Sequence, residues 1–390
     1  MGTPDFRISH DDSLLYRFTK YTITRMAVRM KDIAEDLGVS IVTISKVLRN
    51  HPDIADATRE RVLKRIKELD YQPNIMARSL VTGRSYLIGL VVPDLLHPFF
   101  AEMAKALSAA IWQNGYSTII SSSEEDPELE AREIQQLTGR RLDALVIASV
   151  GTDAEPFLRL SRHDMPYVLI DRELPGLSAN FVGVDDEMVG RIATEHLIEQ
   201  GCKTIAHIRG RENSTGTRRF DGYRHALKSA GLSYSDSLVV ARSKVDINSE
   251  RMGAEAMRLL LKQKLLPDGV FAYNDPLAIG AIEAILDMGL RIPEDIAVIG
   301  CGNLHYDPAL RVPLSSVDQN SQAIGEKCAE ILLGILESKN RPPLRSVILQ
   351  PSLAIRASSL KNPSQVNTSP RPSSASGSKT SMRRNTPERK

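Results

Sequence analysis

A chain of 390 residues is longer than one hydrophobic core ordinarily serves, so two or three domains are expected. Hydrophobic residues at 42%, charged residues at 25% and a formal net charge of +2 fit a globular chain and exclude a wholly disordered or fibrous one. Three cysteines without CxxC spacing (Cys202, Cys301, Cys328) argue against a disulfide framework or zinc site, and no apolar run nears the roughly eighteen residues of a membrane span.

Residues 1–28 have neither the apolar run of a secretory signal nor a helical period; they read as an N-terminal extension, disordered or preceding a true start at Met26 or Met30. Residues 29–72 predict three short helices. In Lys31–Leu37 the apolar residues Ile33, Ala34 and Leu37 share a face, and Gly38 ends the helix in a tight turn. Ser40 is placed to N-cap a second helix, in which Ile44, Val47 and Leu48 form the inner face. A third spans Asp56 to Leu69, with Val62, Ile66 and Leu69 turned inward. Residues 73–85 (PNIMARSLVTGRS) follow as a hinge, with Pro73 suited to a first turn and a helix over Asn74–Val81 too short to stand alone in water.

From Tyr86 the texture changes. YLIGLVVP, YSTIIS, DALVIAS, PYVLID, TIAHIRG, GVFAYN and IAVIGC are β runs separated by amphipathic helices, the pattern of parallel sheets with helices on both faces. There is twice the chain that one sheet needs, so the core over 86–360 should hold two doubly wound parallel-sheet lobes. Ligands of such sheets bind beyond the carboxyl ends of the strands. Residues 361–390, rich in Ser, Pro, Asn, Arg and Lys, read as a disordered basic tail.

The second helix raises a question: Ile41, Val42, Ser45 and Lys46 lie opposite its buried face. Helix, Gly, short turn, capped helix is the helix-turn-helix arrangement, whose second helix enters the DNA major groove. There Ile41 and Val42 would pack on thymine methyls, Ser40, Thr43 and Ser45 would meet phosphates or bases, and Lys46 would reach guanine or the backbone, with Asn50 at the helix end. An ordinary helical hairpin with exposed β-branched residues is the plain alternative. In the hinge, Leu80 is placed to wedge between minor-groove base steps and Arg78 to meet phosphate.

MKDIAEDLGVSIVTISKVL, TRERVLKRIKELDYQPNIMARSL and IGLVVPDLLHPFFAEM together resemble the LacI/GalR family of bacterial transcription factors, from about Arg29 to Ser358. The resemblance implies an all-α headpiece and an α/β core like periplasmic binding proteins. Its lobes would cover about 86–186 with 319–345, and about 187–318 with 346–360. It also implies a homodimer on a pseudo-palindromic double-stranded operator, and a small-molecule effector, a sugar or sugar derivative, in the interlobe cleft. Carried over residue by residue, Phe99 and Phe100 fall on ring-stacking positions and Arg219, in TRRFDGY, on the effector-binding arginine, with Thr215 in the same loop. Asn274 matches a strand-end amide that binds a hydroxyl or caps a helix, with Asp275 the stronger cap; Asp171 and Asp185 line the cleft or cap the next elements.

One departure stands out. Where the family often has a sugar-binding Asp, within IGCGNL, this chain has Gly302 and then Asn303. Asn303 substitutes, or Gly302 makes room for an anionic or bulkier ligand, or the pocket binds weakly or not at all. Motifs of nucleotide-binding, serine-hydrolase and zinc enzymes are absent (GxGxxG after a strand, GxxxxGK[ST], GxSxG, HExxH), and no cofactor or metal is expected. The reading is therefore a cytoplasmic, nucleoid-associated, sequence-specific DNA-binding repressor. A small-molecule-binding protein or α/β enzyme with a non-DNA helical N-terminus is the alternative.

Overall fold

The computed structural model describes residues 28–48, 51–71, 83–241 and 247–361. They form two compact units that divide between Ser85 and Tyr86. The first is helical: α1 (Met30–Leu37), α2 (Ile41–Leu48) and α3 (Asp56–Glu68) close on Ile33, Ala34, Ile44, Val47, Val62 and Tyr71. Gly38 ends α1 at φ 65°, a conformation that costs glycine little, and the Val39 N–H returns to the Ala34 carbonyl at 3.0 Å. Ser40 caps α2 as expected, its Oγ accepting the Thr43 N–H at 3.0 Å.

The second unit holds two six-stranded sheets. In chain order its elements are β1 (Leu87–Val92), α4 (Pro98–Trp112), β2 (Ser117–Ser122), α5 (Pro127–Gly139), β3 (Ala144–Ile147), α6 (Glu155–Arg162), β4 (Tyr167–Ile170) and β5 (Asn180–Val184). Then come α7 (Asp186–Glu199), β6 (Ile205–Arg209), α8 (Ser214–Ser229), β7 (Val239–Ala241), α9 (Ser249–Leu260), β8 (Gly269–Ala272) and α10 (Asp275–Asp287). β9 (Ala297–Cys301), β10 (Ser315–Asp318), α11 (Ser321–Glu337), β11 (Ser346–Leu349) and β12 (Ser352–Ala354) complete it.

Lobe 1 has the order β11-β5-β4-β3-β1-β2, all parallel; lobe 2 has β12-β10-β9-β8-β6-β7, parallel except for the β10–β12 pair. Each sheet buries both faces, which explains its continuous apolar strands. In lobe 1, α4 and α11 supply Met103, Leu107 and Leu332 to one face while α5 and α6 supply Ile134 and Phe157 to the other. In lobe 2, Met257 and Ala281 of α9 and α10 cover one face, and Val189 and Tyr223 of α7 and α8 the other.

The chain passes between lobes at β5–α7, β10–α11 and β11–β12. β11 lies beside β5, so residues 346–349 belong to lobe 1, and the boundary expected at 345/346 moves one strand later. Parallel pairing with β5 accounts for the difference, since four residues reading SVIL carry no signal for either sheet.

Candidate functional site

In the helical unit, α2 turns Ile44 and Val47 inward and leaves Ile41 47% and Val42 61% exposed, as its period predicts. Thr43 and Ser40 share a hydroxyl contact at 2.9 Å at the same end. Lys46, expected to reach guanine or the DNA backbone, is ion-paired within the protein. Its Nζ lies 2.5 Å from Asp53 Oδ2, while Asp53 Oδ1 meets His51 Nδ1 at 2.6 Å. Asn50, Arg78 and Leu80, with most of the hinge, lie outside the described residues.

The second site forms where strands of both lobes end. Close packing of α7 on α8 builds its floor: a Cβ at Gly190 would fall 1.9 Å from the Arg219 carbonyl oxygen, and one at Gly222 2.0 Å from that of Glu187. This approach buries Arg219 against Asp186. Arg219 Nε donates to Asp186 Oδ1 at 2.8 Å, Nη1 donates to the Tyr273 carbonyl at 2.7 Å, and the guanidinium lies 4.5 Å above the Tyr273 ring. Thr215 donates to Asn213 Oδ1 at 2.9 Å and lies 2.8 Å from the Tyr273 hydroxyl. Arg219, Thr215 and Tyr273 are thus one connected cluster.

Lobe 1 meets lobe 2 at several of these residues. Asn274 Nδ2 donates across the cleft to His97 Nε2 at 3.2 Å while its Oδ1 accepts the Leu277 N–H at 3.0 Å. Asn274 is therefore the cap of α10, and Asp275 is not. The Glu173 N–H donates to Ser214 Oγ at 3.0 Å, and Glu173 pairs with Arg218 at 2.6 Å. Beside the Glu173 contacts, and not lined by Arg219, Thr215 or Asn274, opens a cavity of about 810 Å³ whose walls include Gly151, Thr152, Glu173, Leu174, Asn213 and Arg218.

Other sequence-derived residues land differently. Phe99 and Phe100, 4% and 2% exposed, pack edge to face within the core of lobe 1 rather than offering a free ring at the cleft. The resemblance that put them at the cleft matches a motif whose residues here form the apolar face of α4 against the sheet. Asp171 is the N-cap of none of the described helices; it sits at φ 62° after β4, its Oδ2 3.4 Å from Arg172 Nε. Asp185 does cap α7, accepting the Met188 N–H at 3.1 Å. The Asn303 amide is engaged at both ends, donating to Asp318 at 3.1 Å and accepting from Arg356 at 2.5 Å.

Gly302 has a local reason: a Cβ there would come within 2.8 Å of Asp275 Oδ2. Asp275 is fully buried and accepts from Ser316 Oγ at 2.7 Å, with the buried Asp307 carboxyl as its charged neighbour. Burial pushes both carboxyls up, Asp275 well above the usual carboxylate range and Asp307 to about 6. Burial also raises Asp186 to about 6, against the pull of Arg219.

His97, Asp186, Tyr273 and Asp307 were not foreseen from sequence. Each belongs to the site through a partner far along the chain, and only the strand-end position of Tyr273 carried a signal.

Residues 29–74 match the model of bacterial regulatory proteins of the lacI family, and residues 194–359 that of a periplasmic binding protein-like domain. Over 335 residues, covering 84% of this chain and 98% of the relative, the sequence is 34% identical to the HTH-type transcriptional repressor PurR of Haemophilus influenzae (strain PittEE). It is 32% identical over 311 residues, 80% of this chain and 91% of the relative, to the Ribose operon repressor of Halalkalibacterium halodurans. A solved transcriptional regulator CelR-cellobiose complex is 29% identical with a TM-score of 0.65, over 85% of this chain and 99% of that one. With its capped helix-turn-helix and its paired parallel-sheet lobes, this chain belongs to the LacI family of bacterial regulatory proteins and is a DNA-binding transcriptional regulator.

Proposed function

We propose that the protein is a cytoplasmic repressor that binds a pseudo-palindromic operator as a homodimer and releases or retains it according to a small molecule held between the lobes. The exposed apolar start of α2 carries the DNA half of this reading, because Ile41 and Val42 serve no core and match the thymine methyls of the major groove. Relatives described as a ribose operon repressor and as a cellobiose complex support a sugar or sugar derivative as effector.

The effector acts by differential affinity for two lobe arrangements. Contacts that cross the cleft, His97 with Asn274 and Glu173 with Ser214 and Arg218, exist in one arrangement and break in another. A tenfold change in operator affinity requires about 1.4 kcal/mol of coupling, which one or two such hydrogen bonds supply.

Arg219 is the residue to test. Its replacement by Ala would strand Asp186 in the core, a loss on the order of 3–5 kcal/mol, so Arg219→Lys is the better probe. It keeps the charge beside Asp186 and removes the fork. Operator anisotropy titrated with neutral sugars and sugar acids should show a response in the wild type that falls at least tenfold in Arg219→Lys, with operator affinity retained. An undiminished response would remove Arg219 from the effector site.

A further inference from the structure

We propose that Asp53 is a positioning residue that holds Lys46 of α2 away from random DNA and yields it to the operator, so that a carboxylate beside the recognition helix raises specificity. The inference rests on the DNA-binding role of α2 and concerns a residue with no assigned part in it.

The carboxylate is held in a chain of contacts. Arg59 Nη2 donates to the His51 carbonyl at 2.7 Å, and the His51 N–H donates to the Lys46 carbonyl at 3.0 Å, tying the loop after α2 to both neighbouring helices. From that anchored position His51 Nδ1 meets Asp53 Oδ1 at 2.6 Å, which leaves Oδ2 to Lys46 Nζ at 2.5 Å. Both members of the ion pair are solvent-accessible, the side chains 34% and 46% exposed. Exposed pairs of this kind add little to folding stability.

A folding role therefore does not explain the pair, and its cost to DNA binding is plain. A carboxylate at the edge of a DNA-facing helix repels phosphates, and a lysine neutralised within the protein releases no counterion. Both effects fall on any duplex, whatever its sequence. Only a duplex that offers Lys46 a guanine edge or a phosphate in register displaces Asp53. The flexible lysine stem, preordered by Asp53, then moves a short way to its contact. The net result is weaker non-specific binding at little loss on the correct site, which widens the ratio that matters among competing genomic sites.

The test uses the full chain, its Asp53→Asn and Lys46→Gln variants and the double variant. Each is titrated with salt on a mixed-sequence duplex and on an operator recovered from a randomised pool. Asp53→Asn should strengthen mixed-sequence binding and steepen its salt dependence by about one ion per headpiece, a factor of about three to four in affinity between 50 and 200 mM salt. It should lower the operator-to-random ratio, and in the Lys46→Gln background it should lose most of its effect. An Asp53→Asn effect of equal size with and without Lys46 would show a plain repulsive charge and overturn the proposal. So would an equal gain on operator and random duplex. A wild-type chain that binds neither duplex removes the reading of α2 itself.

Discussion

Val42 places a branched alkyl group in solvent at the start of α2, with more than half of its surface open. If that group reads a thymine methyl, then Val42→Gln, which offers an amide fork to adenine, should change the preferred base at one half-site position. The discrimination lost and gained is about 1–3 kcal/mol, read by competition among half-sites that differ at one base pair. A uniform loss across all four bases would mean that Val42 only packs. His207 supports a prediction of another kind. It is stacked on Phe271 at 4.6 Å, its Nδ1 lies 2.9 Å from the Phe271 carbonyl oxygen, and burial pushes it down from 6.5 to about 3. Because the folded form keeps the ring neutral, its contribution is present above pH 6.5 and is lost as pH falls toward 3. Between neutral pH and about pH 4.5 the wild type should lose about 2–3 kcal/mol more than His207→Phe does, a difference in which any constant cost of the substitution cancels. Urea unfolding at the two pH values measures it; parallel loss in both proteins would contradict it. Residues of the cleft were legible from sequence only where a motif named them. Arg219 was so named, yet Asp186, 33 positions away, was not, because no local pattern encodes which carboxylate a buried guanidinium will find.

At the scale of the element, the helical unit was the most legible part of the chain. Gly38, Ser40 and the Ile44–Val47 spacing each point to the same helix-turn-helix, and the structure differs only by single residues at helix ends. Ser40→Ala removes the acceptor of the Thr43 N–H and should lower the stability of this unit by about 1 kcal/mol, with a matching fall in operator affinity. Thermal unfolding followed by circular dichroism checks the first and anisotropy the second; an unchanged midpoint would show that α2 holds without its cap. Buried strands such as LIGLVV and ALVI were equally plain, since parallel sheets covered on both faces require uninterrupted apolar runs. β7, β10, β11 and β12 were missed. Only three or four residues long, they become strands through register with neighbours rather than through a period of their own. The same holds for Phe99 and Phe100, whose helix has one apolar face that the sheet fully uses.

For the whole molecule, the two-lobed architecture followed from strand–helix alternation and the length of chain, but the paths between lobes did not. Placing β11 with lobe 1 and β12 with lobe 2 gives three crossings, which allows one lobe to turn against the other without unfolding either sheet. Leu304 shows how closely the lobes engage: it follows β9 of lobe 2 yet is buried in the core of lobe 1, while His305 meets Glu102 of α4 at 3.1 Å. A change of lobe angle must withdraw these groups, and an effector that favours one angle thereby gains leverage over the rest of the chain. All of this regulation presupposes that α2 reads DNA. The most direct measurement is selection of the purified full-length protein against a randomised duplex pool in low salt. Enrichment of an inverted repeat is expected, with half-sites that present thymine where Ile41 and Val42 face the groove. Recovery of no duplex above background, at any salt concentration, would contradict it.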